Sequence, residues 1–200
     1  MSAPGRARRI WIGGLLAAGV VLTLALAAGA RAAESVSVIS AALDVRDDPE
    51  AGVYLNAQFA FEPSPAIEDA VRRGIPVYFV IDFELVRTRW YWFNKQVASD
   101  VLGYRLSYSP LTRQFRLSRG ALAQPFETLD EALSTIRTVR DWKVAAREAA
   151  QSPEHLLARV RLRLDTTMLP KPFQVDTLTN RDWALASDWH PVQIGADVQH

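Results

Sequence analysis

The sequence predicts a mainly β fold, α+β at the margin: an antiparallel β-sandwich-like domain with two short helices, preceded by an N-terminal export helix. Apolar and polar residues alternate along several short segments, which is typical of strands that bury one face. After the N-terminal segment, two segments place apolar residues at helical spacing. No regular β-α-β alternation is present, so a doubly wound parallel sheet is disfavoured.

The N-terminal segment predicts export. Residues 1–9 carry three arginines and no acid, and an uncharged apolar run follows from Ile10 to Ala30. The triplet Ala30-Arg31-Ala32 then supplies the small residues of a cleavage site, so residues 1–32 have the three parts of a signal peptide. The apolar run is also long enough to cross a bilayer, which takes roughly 20 residues. An uncleaved N-terminal membrane anchor is therefore the alternative.

Residues 33–200 have the length of one ordinary domain, and we expect a single β-rich extracytoplasmic domain. It is soluble in the periplasm after signal cleavage or, in the alternative, anchored in the inner membrane by residues 10–30. Four of the 23 basic residues and none of the 22 acidic residues lie before residue 33, which leaves 19 basic against 22 acidic residues. This balance argues against nucleic-acid binding. Membrane contact is expected only through the N-terminal segment, if it stays uncleaved.

Period-two patterns predict the strands. They cover Glu34–Val45, Val53–Glu62, Ile75–Arg87, Tyr104–Tyr108, Thr112–Ser118 and His155–Asp165. The first two flank a segment rich in Asp, Pro and Gly, and the fourth and fifth flank Ser109-Pro110. Such segments form turns, so each of these two pairs is expected to be a hairpin.

Two helices are predicted by their capping signals. Ser64 is placed to cap a helix that runs from Pro65 to Arg73, and Gly74 ends it. The second helix is predicted over Thr128–Arg140. There Thr128 and Glu131, three residues apart, match a capping box.

The C-terminal part is rich in proline and tryptophan. Two prolines predict an extended, stiff segment at Leu169–Gln174. Tryptophan follows aspartate at Asp141-Trp142, Asp182-Trp183 and Asp188-Trp189. An Asx-type turn at each pair is expected to direct the indole into the interior. A partner-binding edge is the alternative.

The sequence assigns no catalytic residue, metal site or cofactor. It has no cysteine, which removes disulfides, thiol catalysis and thiolate metal sites. His155, His190 and His200 show no metal-ligand spacing, and the acidic turn Asp44–Glu50 departs from a calcium loop. Nucleophile signatures and phosphate-binding loops are also missing. The sequence therefore favours a non-enzymatic role, with a hydrolase assembled across the fold as the weakest alternative.

An aromatic run supplies the first candidate binding residues, Trp90, Tyr91 and Trp92. On a strand, Trp90 and Trp92 lie on one face and Tyr91 on the other, so both faces need cover or a ligand. Exposed aromatics of this kind stack on sugars or anchor protein partners. Burial of both faces within the domain is the alternative.

An alternating segment supplies the second set, Arg159, Arg161 and Arg163, which share one face of a predicted strand. Three guanidinium groups in a row can hold the phosphates or carboxylates of an anionic ligand. The alternative is a solvated outer face that pairs across strands. Asp82 and Glu84, on one face of another predicted strand, are its expected partners.

Several longer strings resemble one family. They are GIPVYF at 74–79, RWYWF at 89–93, LSY at 106–108, LTRQFR at 111–116, LDEAL at 129–133, LPKPFQ at 169–174, and DW and SDW at 182–183 and 187–189. From about Val36 to Trp189, the chain resembles the proteobacterial domain-of-unknown-function family 4390. The resemblance implies a small exported or membrane-anchored protein with no assigned activity and no catalytic residues to transfer. Genes of that family often lie beside one for a membrane sensor kinase of the nitrogen-regulation type.

Three hypotheses follow for function. The first is a non-enzymatic envelope domain that binds a partner protein, such as the extracytoplasmic part of a sensor kinase. The second is a periplasmic domain that binds a small ligand, sugar or lipid, through the aromatic run beside the arginines. The third is the hydrolase.

Overall fold

The computed structural model describes residues 36–88, 95–151 and 155–194, which lie within one compact unit, Glu34–His200. The predicted boundary at residue 33 and the export segment lie outside the described residues. The described elements, in chain order, are β1 Val36–Arg46, β2 Gly52–Phe61, α1 Pro65–Arg72, β3 Val77–Arg87, β4 Lys95–Ser109, β5 Gln114–Arg119, β6 Leu122–Phe126, α2 Leu129–Arg137, β7 Thr138–Ala145, β8 Leu156–Leu164, α3 Lys171–Thr179 and β9 His190–Ile194.

The strands form one sheet in the order β6-β5-β4-β3-β8-β9-β1-β2-β7. Neighbouring strands are antiparallel except β1 and β9, which pair in parallel at two register positions. The sheet curls until its edge strand β7 contacts β4, where the indole Nε1 of Trp142 donates a 3.0 Å hydrogen bond to Asp100. The prediction of a mainly β, sandwich-like domain is confirmed. Both predicted helices are present as α1 and α2, and α3 is an additional one.

The core lies inside the curl. Alternate residues of β3 and β8 face it and are almost fully buried, namely Phe79, Ile81, Phe83, Leu85, Ala158, Val160 and Leu162. Burial of each large apolar side chain contributes about 1.5–3 kcal/mol. Because side chains alternate across a strand, the intervening residues of β3 and β8 lie on the outer face of the sheet. That outer face carries the site described below.

Both predicted helix starts are confirmed. The Ser64 hydroxyl accepts a hydrogen bond from the backbone N–H of Ile67 at 3.3 Å. Thr128 and Glu131 form the capping box, in which each side chain accepts from the other residue's backbone N–H. Gly74 follows α1 with φ of +83°, a backbone conformation that glycine adopts without strain.

The C-terminal segment predicted to be extended is partly helical, because α3 begins at Lys171. Proline has no N–H to donate, and the first turn of a helix leaves its N–H groups unpaired in any case. Pro170 and Pro172 therefore fit this start, and the Pro170 carbonyl accepts from Phe173 N–H at 2.9 Å. The prediction of a fully extended segment at Leu169–Gln174 is therefore wrong, because its two prolines lie at the start of a helix.

The second predicted helix ends earlier than expected. It was predicted to reach Arg140, but Thr138 is already extended and begins β7. In β7, Asp141 has φ of +50°, and the register against β2 shifts between Val139 and Trp142, which flank it. This irregularity breaks the period-two pattern, so the sequence did not predict the strand.

Within the described ranges, no helix is long and apolar enough to cross a membrane.

Candidate binding face

The outer face of β5, β4, β3 and β8 carries rows of charged side chains, and Trp189, just before β9, lies over the β8 row. We call this outer face the arginine face, and it comprises Asp82, Glu84, Arg105, Arg116, Arg159, Arg161, Arg163 and Trp189. On β8, Arg159 lies opposite Glu84 and Arg161 lies opposite Asp82. This is the cross-strand pairing that the sequence offered as the alternative to a ligand.

Asp82 is the buried carboxylate of this face, with 8 % of the residue exposed. It accepts 2.7 and 2.8 Å hydrogen bonds from Nε of Arg161 and Arg163. Burial alone would raise the pKa of Asp82, but the hydrogen bonds from Arg163 and Arg161 outweigh it. The pKa therefore lies below its ordinary value of 3.8. The same hydrogen bond raises the pKa of Arg163, so this group stays charged.

The second pair is more exposed. Glu84 Oε2 accepts from Nε of Arg159 at 2.8 Å and from Nη2 at 2.5 Å. Cross-strand pairs of opposite charge contribute about 0.2–1 kcal/mol each. Together the two carboxylates fix three guanidinium groups in one row along β8.

Trp189 lies over this row. Its ring centroid is 4.6 Å from the guanidinium carbon of Arg159 and 4.5 Å from that of Arg161. Contacts of this geometry are attractive, by about 0.5–1 kcal/mol at exposed sites. The expectation of an inward-facing indole is met by Trp142 and Trp183, which are buried, but not by Trp189.

The position of Trp189 was missed because it depends on a tertiary pairing. It directly precedes β9, whose His190, Pro191 and Val192 pair with β8. The sequence predicts no strand at residues 190–194. Trp189 could have been placed only by predicting that these residues pair with β8.

Two further arginines extend the face beyond β8. Arg105 on β4 lies opposite Tyr78, and Arg116 on β5 lies opposite Ser107. Both are exposed and, within the described residues, neither makes an ion pair. The face thus holds five arginines against Asp82, Glu84 and the adjacent Asp165, although the domain as a whole is slightly acidic.

A cavity of about 460 Å³ opens on the same face, and Arg105 and Asp165 are among the residues that line it. Gly103 and Val80, which are paired across β4 and β3, also line it. Tyr78 and Met168 contribute further lining, and Met168 is 55 % exposed. We call it the Gly103 cavity.

The aromatic candidates Trp90, Tyr91 and Trp92 lie outside the described residues. They belong to the connection from β3 to β4. At its near end, the backbone N–H of Thr88 donates to the His155 carbonyl at 2.8 Å. Their role as binding residues stays a prediction.

Two carboxylates of the acidic turn form ion pairs with arginines. Asp44 accepts from Nε of Arg46 at 2.7 Å, and Asp47 pairs with Arg147. Arg46 also pairs with Asp141 and lies 4.3 Å from the ring centroid of Tyr54. Among the described residues, no group of three His, Cys, Asp or Glu side chains is arranged to hold a metal ion.

The fold and this face define a curled β-sheet domain with a cationic outer surface. The chain belongs to a family described as a domain of unknown function (DUF4390), whose model matches residues 33–193. The match agrees with the resemblance carried by the sequence strings. No curated protein and no solved structure matches the chain.

Proposed function

We propose that this protein is a non-enzymatic interaction module of the bacterial envelope, in which the arginine face binds an acidic surface of a partner protein. The extracytoplasmic part of a membrane sensor kinase is the first candidate partner. The proposed location is the periplasm, with residues 1–32 either cleaved as a signal or retained as an inner-membrane anchor. The observation that carries the proposal is the surplus of arginines on one face of an otherwise acidic domain.

The chemistry of the face supports this choice. Among the described contacts, Arg161 uses only Nε toward Asp82, so its terminal N–H groups can donate to an incoming carboxylate in a bidentate pair. Within the part of the chain that the structure describes, Arg105 and Arg116 form no ion pair, so their donors can serve a partner. Arginine and tryptophan are the residues that most often dominate binding energy at protein interfaces.

The arginine face is also largely ordered before a partner binds. Asp82 and Glu84 hold the β8 arginines in place, and Trp189 covers two of them. A guanidinium that is already ordered loses less conformational entropy when a partner arrives. A patch with a positive surplus further speeds the encounter with an acidic partner.

Site-specific photo-cross-linking of the full chain in living cells tests the proposal. A photoreactive residue replaces Val101, which is exposed on the arginine face, or Leu122, which is exposed on edge strand β6. We expect one envelope protein to be linked from position 101 and not from position 122. The double variant Arg105→Glu/Arg116→Glu should reduce this product about tenfold or more.

The matched control is Arg140→Glu on β7, another exposed arginine without an ion pair among the described residues. It makes the same kind of charge change away from the face and should leave the product unchanged. Equal labelling from positions 101 and 122, or insensitivity to the double charge reversal, would refute the proposed function.

A second candidate, binding of a neutral small ligand such as a sugar, is favoured by a separate groove of about 710 Å³. Hydroxyl and amide side chains line it, namely Ser40, Asn56, Gln58, Thr138 and Gln193. Hydroxyl and amide groups both donate and accept hydrogen bonds, which suits the hydroxyls of a sugar. Titration of the full chain with oligosaccharides, monitored by calorimetry, would support this candidate if binding is lost on Asn56→Leu.

A further inference from the structure

We infer that the Gly103 cavity receives a large apolar side chain from the acidic partner segment, and so acts as the anchor pocket of the arginine face. This inference rests on the proposed function and specifies the partner's chemistry. A peptide segment with an apolar residue flanked by carboxylates is the occupant that fits.

The first observation that supports this inference is the position of the cavity on the sheet. Gly103, Val80 and Arg163 form one row across β4, β3 and β8 on the outer face. The next row consists of Val101, Asp82 and Arg161. The cavity is therefore continuous with the arginine face and lies one row from its buried carboxylate.

The second observation is that Gly103 is a glycine. A Cβ atom built on Gly103 meets no atom within 4 Å, and its φ lies outside the left-handed region. The described fold therefore does not require glycine there, in contrast to Gly74, whose φ is +83°. Glycine inside a strand costs about 0.5–1 kcal/mol relative to alanine. It often marks a place that a ligand approaches closely.

The third observation is the composition of the lining, which combines apolar residues with the charged residues Arg105 and Asp165. Val80, Tyr78 and the exposed Met168 supply apolar surface for a side chain. Arg105 lines the cavity without an ion pair among the described residues, whereas Asp165 lies 3.9 Å from Nη1 of Arg163. A carboxylate beside the inserted side chain would meet Arg105, and a basic residue would be repelled.

These features select an acidic peptide over other occupants. Interface anchors are large apolar side chains in a pocket, surrounded by polar contacts that exclude water. A strongly basic segment is disfavoured by the arginines. A neutral ligand would leave Arg105, which has no ion pair among the described residues, without compensation for its lost hydration.

Photo-cross-linking at Met168 of the full chain in cells, with sequencing of the linked peptide, tests the inference. We expect the linked residue to be, or to adjoin, a large apolar residue with Asp or Glu within a few positions. Gly103→Leu fills the cavity and should reduce the products from positions 168 and 101 at least about tenfold. Gly103→Ala adds one carbon and should have a smaller effect.

A pair of charge variants guards against misfolding of the leucine variant. Met168 is exposed, so Met168→Asp and Met168→Lys should both fold. Linking from position 101 should fall with Met168→Asp and persist with Met168→Lys. Equal effects of the two variants would overturn the inference.

The outcomes separate the two proposals. If position 101 still links the same acidic protein at full yield in Gly103→Leu, the anchor pocket is wrong and the proposed function stands. If neither position links an acidic protein in the unmodified chain, the proposed function fails. A linked lipid or a basic peptide at position 168 would overturn the inference.

Discussion

The indole of Trp142 on β7 donates a hydrogen bond to the carboxylate of Asp100 on β4, although these strands are not neighbours in the sheet. The same indole packs edge-on against Phe83 of β3, with ring centroids 6.4 Å apart. One side chain thus joins the last strand of the sheet to two strands in its other half.

Trp142→Phe should lower the free energy of unfolding by about 1–3 kcal/mol, because a hydrogen bond to a charged acceptor is lost. Urea unfolding followed by far-UV circular dichroism measures the change. In a double-mutant cycle with Asp100→Asn, the coupling energy should exceed 0.5 kcal/mol, about the lower bound for interacting residues. Strict additivity would contradict the role given to this contact.

Asp82→Asn should destabilise the fold by about 1–3 kcal/mol at neutral pH, because two guanidinium groups lose their shared acceptor. The lowered pKa of Asp82 means that its ionised form contributes stability above its ordinary pKa of 3.8. That contribution is lost as the pH falls through the lower folded-state pKa. The difference between variant and parent should therefore shrink below pH 3.8.

The ion pair Asp130–Arg137 provides a contrast to Asp82, because the Asp130 side chain is 82 % exposed whereas Asp82 is buried. Asp130→Asn should cost well under 1 kcal/mol, because solvent screens an ion pair whose carboxylate is exposed. Equal costs for the two asparagine variants, or a cost of Asp82→Asn that is independent of pH, would show that Asp82 is not stabilised as described.

Thr128→Ala should lower the free energy of unfolding by about 1 kcal/mol, since the side chain that accepts from Glu131 N–H is removed. Glu131→Gln preserves an oxygen acceptor for the Thr128 N–H and should cost less. Thermal or urea unfolding compares the two. A larger cost for the glutamine variant would mean that the carboxylate charge, rather than the capping geometry, stabilises the start of α2.

Alanine at the two glycines should have opposite effects. Gly74→Ala should destabilise by about 1 kcal/mol, because alanine is strained at a φ of +83°. Gly103→Ala should be neutral or stabilising by up to about 1 kcal/mol, since its strand conformation is ordinary and the space before it is open. If Gly103→Ala instead lowers the free energy of unfolding, the added methyl group must contact other atoms, and the space before Gly103 is not open as described.

The sequence predicted what depends on local pattern. The strands β1, β2, β3 and β8 follow period-two alternation, and the helix starts follow from Ser64 and Thr128. Even the pairing of Asp82 and Glu84 with the β8 arginines could be anticipated, because alternation places them on matching faces. Strand β7 could not, since the irregular backbone at Asp141 interrupts its pattern.

The candidate site needed more than pattern. Trp189 contacts Arg161 because β9 returns beside β8, and the sequence carries no sign of that return. The Gly103 cavity is the space that β4, β3 and the turn at Met168 leave uncovered. Such spaces arise from the arrangement of elements distant in sequence, which local periodicity does not encode.

The parallel pairing of β1 with β9 has a mechanical consequence. The described part of the chain enters at the start of β1 and leaves at the end of β9, and these two points lie at opposite ends of adjacent parallel strands. A pull on both ends therefore slides β1 along β2 and β9 along β8. Both ladders bear such a load in shear, so the ten paired positions between β1 and β2 and the three between β8 and β9 are strained together instead of opening one at a time.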